Sequence, residues 1–160
     1  MRLLPPFLFA ATLATPVLAQ SEPPVRTVPV LTEAGAQAAL KEAVRLAREA
    51  KDPAAIAIVD ADGVMLAFLR MDGVRAGSVD LALGKARTAA LMQRPTDELE
   101  DNVAKGRVGL ATAGLTALRG GAPLKAGGVT VGAIGIAGTR KEDDAATAAA
   151  VSAKDLGPAP

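Results

Sequence analysis

Two short apolar runs joined by one tight turn constrain this chain more than any other feature. Residues 54–59 read AAIAIV and residues 64–69 read VMLAFL, on either side of Asp60-Ala61-Asp62-Gly63. An Asp-Gly pair between such runs is a hairpin signature, because Gly63 can take the positive φ the turn needs. Both runs are apolar at odd and even positions alike. That predicts two central strands covered by helices on each face, with Met65 in the core. The same acidic turn invites a calcium-loop reading. Such a loop needs glycine at its sixth position and glutamate at its twelfth. Here Gly63 is fourth and Met71 is twelfth, so the turn reading stands.

Helical patterns surround the hairpin. Thr32 is placed to cap a helix running to about Ala50, with Glu33 in its first turn and a buried stripe of Ala36, Leu40, Ala43, Ala47 and Ala50. After the polar loop 70–77, Ser78 reads as the N-cap of a helix to about Met92. Thr96 reads as the cap of a short acidic helix over Asp97–Lys105. Residues 107–128 are Gly-rich and weakly periodic, with a strand expected near Leu115–Leu118. Residues 129–136 read as a further strand. Glu142-Asp143-Asp144 then open an Ala-rich helix to about Ala153, their charge matched to the positive end of its dipole. A hairpin, further short strands and intervening helices predict an α/β domain, a largely antiparallel sheet with helices packed on it.

The first 19 residues read as an address. Met1-Arg2 is followed by an apolar stretch to Leu18, broken by Pro5, Pro6 and Pro16, and Ala19 offers a small-residue cleavage edge. This is the pattern of a signal peptide cut after Ala19, giving a periplasmic or secreted protein with no integral membrane segment after cleavage. Residues 20–31 form a Pro-rich leader and residues 32–156 the domain.

The inventory excludes much chemistry. There is no His, Cys, Trp or Tyr, and 36 residues are Ala. Disulfides, thiolate nucleophiles, iron–sulfur clusters and imidazole bases are therefore absent. Losing Arg2 takes 18 basic residues to 17, level with the 17 acidic ones, and Phe68 remains as the sole aromatic. A neutral chain with one aromatic ring has neither the basic surface nor the stacking platforms that nucleic acid needs. The glycines of residues 120–138 contain no nucleotide-binding motif, and the helix after Gly138 opens with three carboxylates that would repel phosphate. Ser78 and Lys85, seven apart, share a helix face, and Arg70, Asp72, Arg75, Asp80 and Arg87 lie close in sequence. These residues allow two readings: a binding pocket for a small anionic molecule, or an enzyme using Arg70, Asp72, Ser78 and Lys85 on an anionic or corrinoid substrate. The missing imidazole and thiol favour the binding module.

Seven motifs in order carry a resemblance. They are Val59-Asp60-x-x-Gly63, Arg70-Met71-Asp72-Gly73, Ser78, Lys85-Ala86-x-Thr88-Ala89, Pro95-Thr96, Gly120-Gly121-x-Pro123 and Gly132-Ala133-Ile134-Gly135-x-x-Gly138. Over about Val30 to Ala153 the chain resembles the GlcG/HbpS family of small haem-binding proteins, and also the C-terminal part of some corrinoid adenosyltransferases. The resemblance implies a profilin-like fold, homo-oligomers up to octamers, haem binding in some members, and an accessory redox-sensing role beside a two-component system in a secreted one. It ties the Thr of the Lys-Ala-x-Thr-Ala motif, here Thr88, to haem. Other members use a His, which this chain lacks, and Ala137 stands where the family often has Ser.

Iron ligands in haem proteins are His, Cys, Met or Tyr, so Met65, Met71 and Met92 are the candidates after cleavage. Met92 lies one turn beyond Thr88 on the same helix face. The resemblance puts Thr88, and the helix spacing Met92, as the expected iron-side residues, with Lys85, Arg70, Met71 and Arg87 around the ligand and its propionates. Ala-rich helices bury little area, which favours self-association into a homo-oligomer. Export predicts that mass spectrometry of the secreted protein finds a new N-terminus at Gln20; an intact Met1 in that fraction would refute it.

Overall fold

The computed structural model describes Val25 and residues 27–157. The expected signal segment, and most of the leader, lie outside the described residues. In chain order the elements are α1 (Glu33–Glu49), β1 (Ala55–Asp60), β2 (Met65–Arg70), α2 (Gly77–Met92), α3 (Asp97–Ala104), β3 (Gly121–Ala126), β4 (Val129–Ala137) and α4 (Lys141–Ser152), with a 3-10 turn at Val108–Thr112. The strands form one antiparallel sheet in the order β2-β1-β4-β3. Helices α1 and α4 cover one face and α2 the other, giving the expected α/β sandwich of helices around an antiparallel sheet.

The hairpin forms as the sequence predicts. Gly63 has φ +81°, and the Asp60 carboxylate accepts from the amides of Asp62 and Val64 at 3.0 and 2.8 Å. The expectation that both hairpin strands are central needs correction, because of the two only β1 is central, beside β4. Strand β2 is the sheet edge, with Phe68 packed toward the α2 side, but Met65 at its start is 50% exposed rather than core, and Leu69 is exposed as well.

Side chains sort by size across the sheet. Ile56, Ile58, Ile134 and Ile136 point to the α1–α4 face and form its core with Leu124 and Val151. The α2 face carries Ala55, Ala57, Val59, Ala133 and Ala137, with Gly135 opposite Ala57. With so little side chain beneath it, α2 sits almost on the strands through Ala82, Ala86, Ala89 and Ala90.

Other local expectations shift. Thr32 caps α1 by accepting from the Gly35 amide at 3.1 Å, while Ala39 and Val44 join the buried stripe in place of the exposed Ala50 and half-buried Leu40. Ser78 is not a cap: α2 begins one residue earlier, with Ala76 at the cap position and no side-chain cap bond. Thr96 leaves α3 uncapped, because its hydroxyl donates to the Leu118 carbonyl and accepts from the Gly121 amide, holding the start of β3. The strand expected at Leu115–Leu118 is absent; those residues form an irregular approach to β3, with Leu118 exposed. Two apolar leucines there lack the alternating burial of a strand.

A methyl group at Gly135 would run into the Ala82 carbonyl and stand 2.5 Å from the Ala86 nitrogen. Backbone on both sides leaves no side chain to move aside. Gly135→Ala is therefore expected to cost about 3 kcal/mol, read by urea unfolding, whereas Gly77→Ala, with open space around it, should cost far less.

Candidate functional site

The close seating of α2 carries a lysine inside. Lys85 is 4% exposed, and its ammonium donates to the Ile136 carbonyl at 2.7 Å and to the Asp144 carboxylate at 3.1 Å. Asp144, on the first turn of α4, also accepts from the Gly138 amide at 2.7 Å. A second buried carboxylate, Asp52, accepts from the amides of Thr139 and Arg140 and from the Thr139 hydroxyl. Two carboxylates thus tie down the corner between β4 and α4. Burial holds the Asp144 carboxyl above its ordinary range, with Lys85 and the Gly138 amide pulling the other way.

That corner is one wall of a cleft of about 770 Å³; the start of α2 and the preceding loop are the other. Gly73, Arg75, Ser78 and Leu81 face Gly138 and Thr139 across it. A smaller hollow of about 180 Å³, lined by Lys85, Asp144 and Arg119, adjoins it through Leu81, Gly138 and Thr139. The volume of the cleft lies in the range of small-molecule sites, which run from about 300 to 1,000 Å³. A groove of about 730 Å³ between α1 and Leu69 has charged walls occupied by the Glu42–Arg45–Glu49 pairs.

The structure scatters most of the residues expected to gather. Ser78 lines the cleft and Lys85 the hollow beside it. Arg70 and Asp72 are exposed at and just after the end of β2. The Met71 sulfur accepts from the Ala54 amide at 3.5 Å, and Arg87 donates to the Gly63 carbonyl at 3.1 Å, propping the hairpin turn. Thr88 is buried, and its hydroxyl accepts from the Thr116 amide at 2.9 Å. Met92 is half-buried at the far end of α2. At 1.5 Å rise per residue, Thr88 lies about 15 Å along the helix from Ser78. Asp52, Thr139 and the buried role of Asp144 were missed by sequence reasoning. For Asp144 a signal exists: with Ala148 and Val151 it stands at i, i+4 and i+7, the buried stripe of α4. Asp52 and Thr139 are joined across the whole domain and leave no local signal.

Lys85→Met removes the cation that touches buried Asp144, and breaking such a pair is expected to cost about 3–5 kcal/mol. Because burial disfavours ionised Asp144 in the folded state, the loss should grow as pH rises through the carboxylate range and shrink below it, where the acid is neutral. Urea unfolding at both ends of that range checks this, and Asp144→Asn added to Lys85→Met should recover part of the loss at the higher pH. An equal loss at both pH values would refute the account.

Comparison with known proteins places this geometry. Residues 31–153 match the family described as "Haem degrading protein HbpS-like". Protein GlcG of Escherichia coli K12 is 35% identical over 113 residues, covering 70% of this chain and 84% of its own. The crystal structure of an HbpS double mutant from Streptomyces reticuli superposes with a TM-score of 0.73 at 35% identity, covering 88% of this chain and 96% of that one. A crystallised PduOC–heme complex superposes with a TM-score of 0.70 at 29% identity, over 78% of this chain and 94% of its own. The chain described above, with its α2 helix pressed onto an Ala/Gly sheet face, belongs to the HbpS-like family.

Proposed function

We propose that this protein binds haem, or a related tetrapyrrole, in the cleft between the start of α2 and the β4–α4 corner, as an exported accessory protein with a redox-sensing role. Family membership and the heme-bound PduOC relative support the ligand, and the cleft is the observation that carries the site. The N-terminal sequence supports export. Among the described residues no helix is long and apolar enough to cross a membrane.

The residues present fit part of the group. Pro53, Val74 and Leu81 supply apolar wall for the macrocycle, and Arg75 and Ser78 supply donors for its carboxylates. Strong axial donors do not line the cleft. Of the methionines, Met65 lies on the exposed edge strand, Met71 accepts a backbone hydrogen bond and Met92 is at the other end of α2. The Thr88 hydroxyl is already engaged by Thr116. Bound haem brings redox-active iron and the Soret band; the protein's part is to grip the faces and edges of the ring. A grip without a strong axial ligand gives weak, exchangeable binding. The enzyme alternative draws less support from geometry, since Lys85 is committed to Asp144 and neither Arg70 nor Asp72 lines the cleft or the hollow beside it.

Self-association belongs to the same proposal. The free edge of β2 is, among the described residues, an unpaired strand edge with exposed Met65 and Leu69, and Val64 just before it, that a second copy would cover.

Hemin titration should give a saturable Soret shift at micromolar to tens of micromolar hemin, a range suited to weak binding, and light scattering should show more than one chain per particle. Leu81 is exposed, so Leu81→Asp should leave the fold intact while weakening hemin about tenfold by placing a charge against the ring. A loss confined to Thr88→Ala or Met92→Ala would move the site to the far end of α2. No shift beyond free hemin in the wild type would overturn the haem reading.

A further inference from the structure

We propose that the α2 end of the cleft is a seat for a carboxylate group. This deepens the reading of the cleft as the ligand site, and rests on the haem reading only for where the carboxylate comes from. A haem propionate and a free small organic acid present the same chemistry.

The seat is built from donors that the chain itself leaves unused. Helix α1 starts under the Thr32 hydroxyl, and at α4 the Asp52 carboxylate accepts from the Thr139 and Arg140 amides. Helix α2 starts at Ala76, whose methyl cannot cap, and the amides of Ala76 and Gly77 find no acceptor among the described residues. An open helix start alone is not a site. The second observation is Ser78, which is only 9% exposed, lines the cleft and makes no side-chain hydrogen bond among the described residues. The Ser78 hydroxyl is not sealed in by protein; it stays open at the cleft with no protein partner among the described residues, so a ligand there can take it up without displacing a bond. Arg75, at the rim, belongs to no ion pair among the described residues.

Protein carboxylates do not fill the position. Asp52 on the facing wall is bonded to Thr139 and Arg140, Asp144 to Lys85 and Gly138, and Asp80 in the first turn of α2 is exposed. Two amides, one hydroxyl and one guanidinium suit the two oxygens and single charge of a carboxylate. A phosphate dianion would bring twice the charge to a single cation.

The test is amide NMR of the purified protein titrated with sodium propionate at constant ionic strength, with propionamide as the uncharged control and inorganic phosphate as the rival anion. Hemin and hemin dimethyl ester are titrated separately by the Soret band. Propionate is expected to move the Ala76 and Gly77 amides saturably and propionamide is not. Ser78→Ala should weaken propionate about tenfold or more, the worth of a hydrogen bond to a charged group, and Arg75→Gln about threefold, as for an exposed charge pair. A propionate source in haem adds a clear preference for hemin over its ester. If propionate binds and hemin does not, the seat stands with a free acid as its ligand and the haem reading falls. If hemin and its ester bind equally and propionate moves nothing, the seat is overturned and the haem reading survives. Tighter binding of phosphate than propionate would also overturn it.

Discussion

Helix α2 rests directly on backbone, and most of the molecule is arranged around that contact. Its alanines meet a sheet face made of Ala55, Ala57, Ala133, Ala137 and Gly135, so the helix axis approaches the strands more closely than any larger side chain would permit. The large apolar groups are displaced to the opposite face, where four isoleucines pack under α1 and α4. A thin core on one side and a dense one on the other is a workable division for a chain so rich in alanine. Close packing on the alanine side recovers dispersion contacts that small side chains otherwise forgo.

The same closeness sets the polar interior. A helix so near the sheet brings the Lys85 ammonium within reach of a β4 carbonyl and of the first turn of α4, where Asp144 meets it. Burying this pair is tolerable because each partner has further hydrogen bonds, Ile136 for the lysine and Gly138 for the acid. Together with Asp52 it pins the β4–α4 corner, and the rigid corner opposite the start of α2 is what leaves a cleft between them. A ligand there meets apolar walls and a small group of donors, with the acids of the corner already neutralised by the protein. The cleft wall thus offers the Ser78 hydroxyl, unpaired among the described residues, and the Arg75 guanidinium beside apolar Pro53, Val74 and Leu81.

Much of this architecture was legible locally. The hairpin turn follows from Asp60 and Gly63, the α1 cap from Thr32, and the antiparallel α/β class from the order of the runs. Legibility failed where a residue answered to a distant partner. Ser78 and Thr96 look like helix caps in isolation, yet one lines a cleft and the other latches the start of β3. Met65 looks like core because its strand is apolar throughout, but a hairpin motif does not say which of its strands will be at the sheet edge.

The sequence by itself therefore determined the elements whose causes lie within a few residues: turn chemistry, helix periodicity, and a residue inventory without imidazole, thiol or indole. Only the tertiary structure decided that Asp144, 59 positions from Lys85, would be its counter-ion, and that Asp52 would hold the turn leading into a helix nearly ninety residues away. Hydrogen bonds and ion pairs act over about 3 Å of space regardless of chain separation. Local patterns carry no record of which distant segments the close seating of α2 brings together.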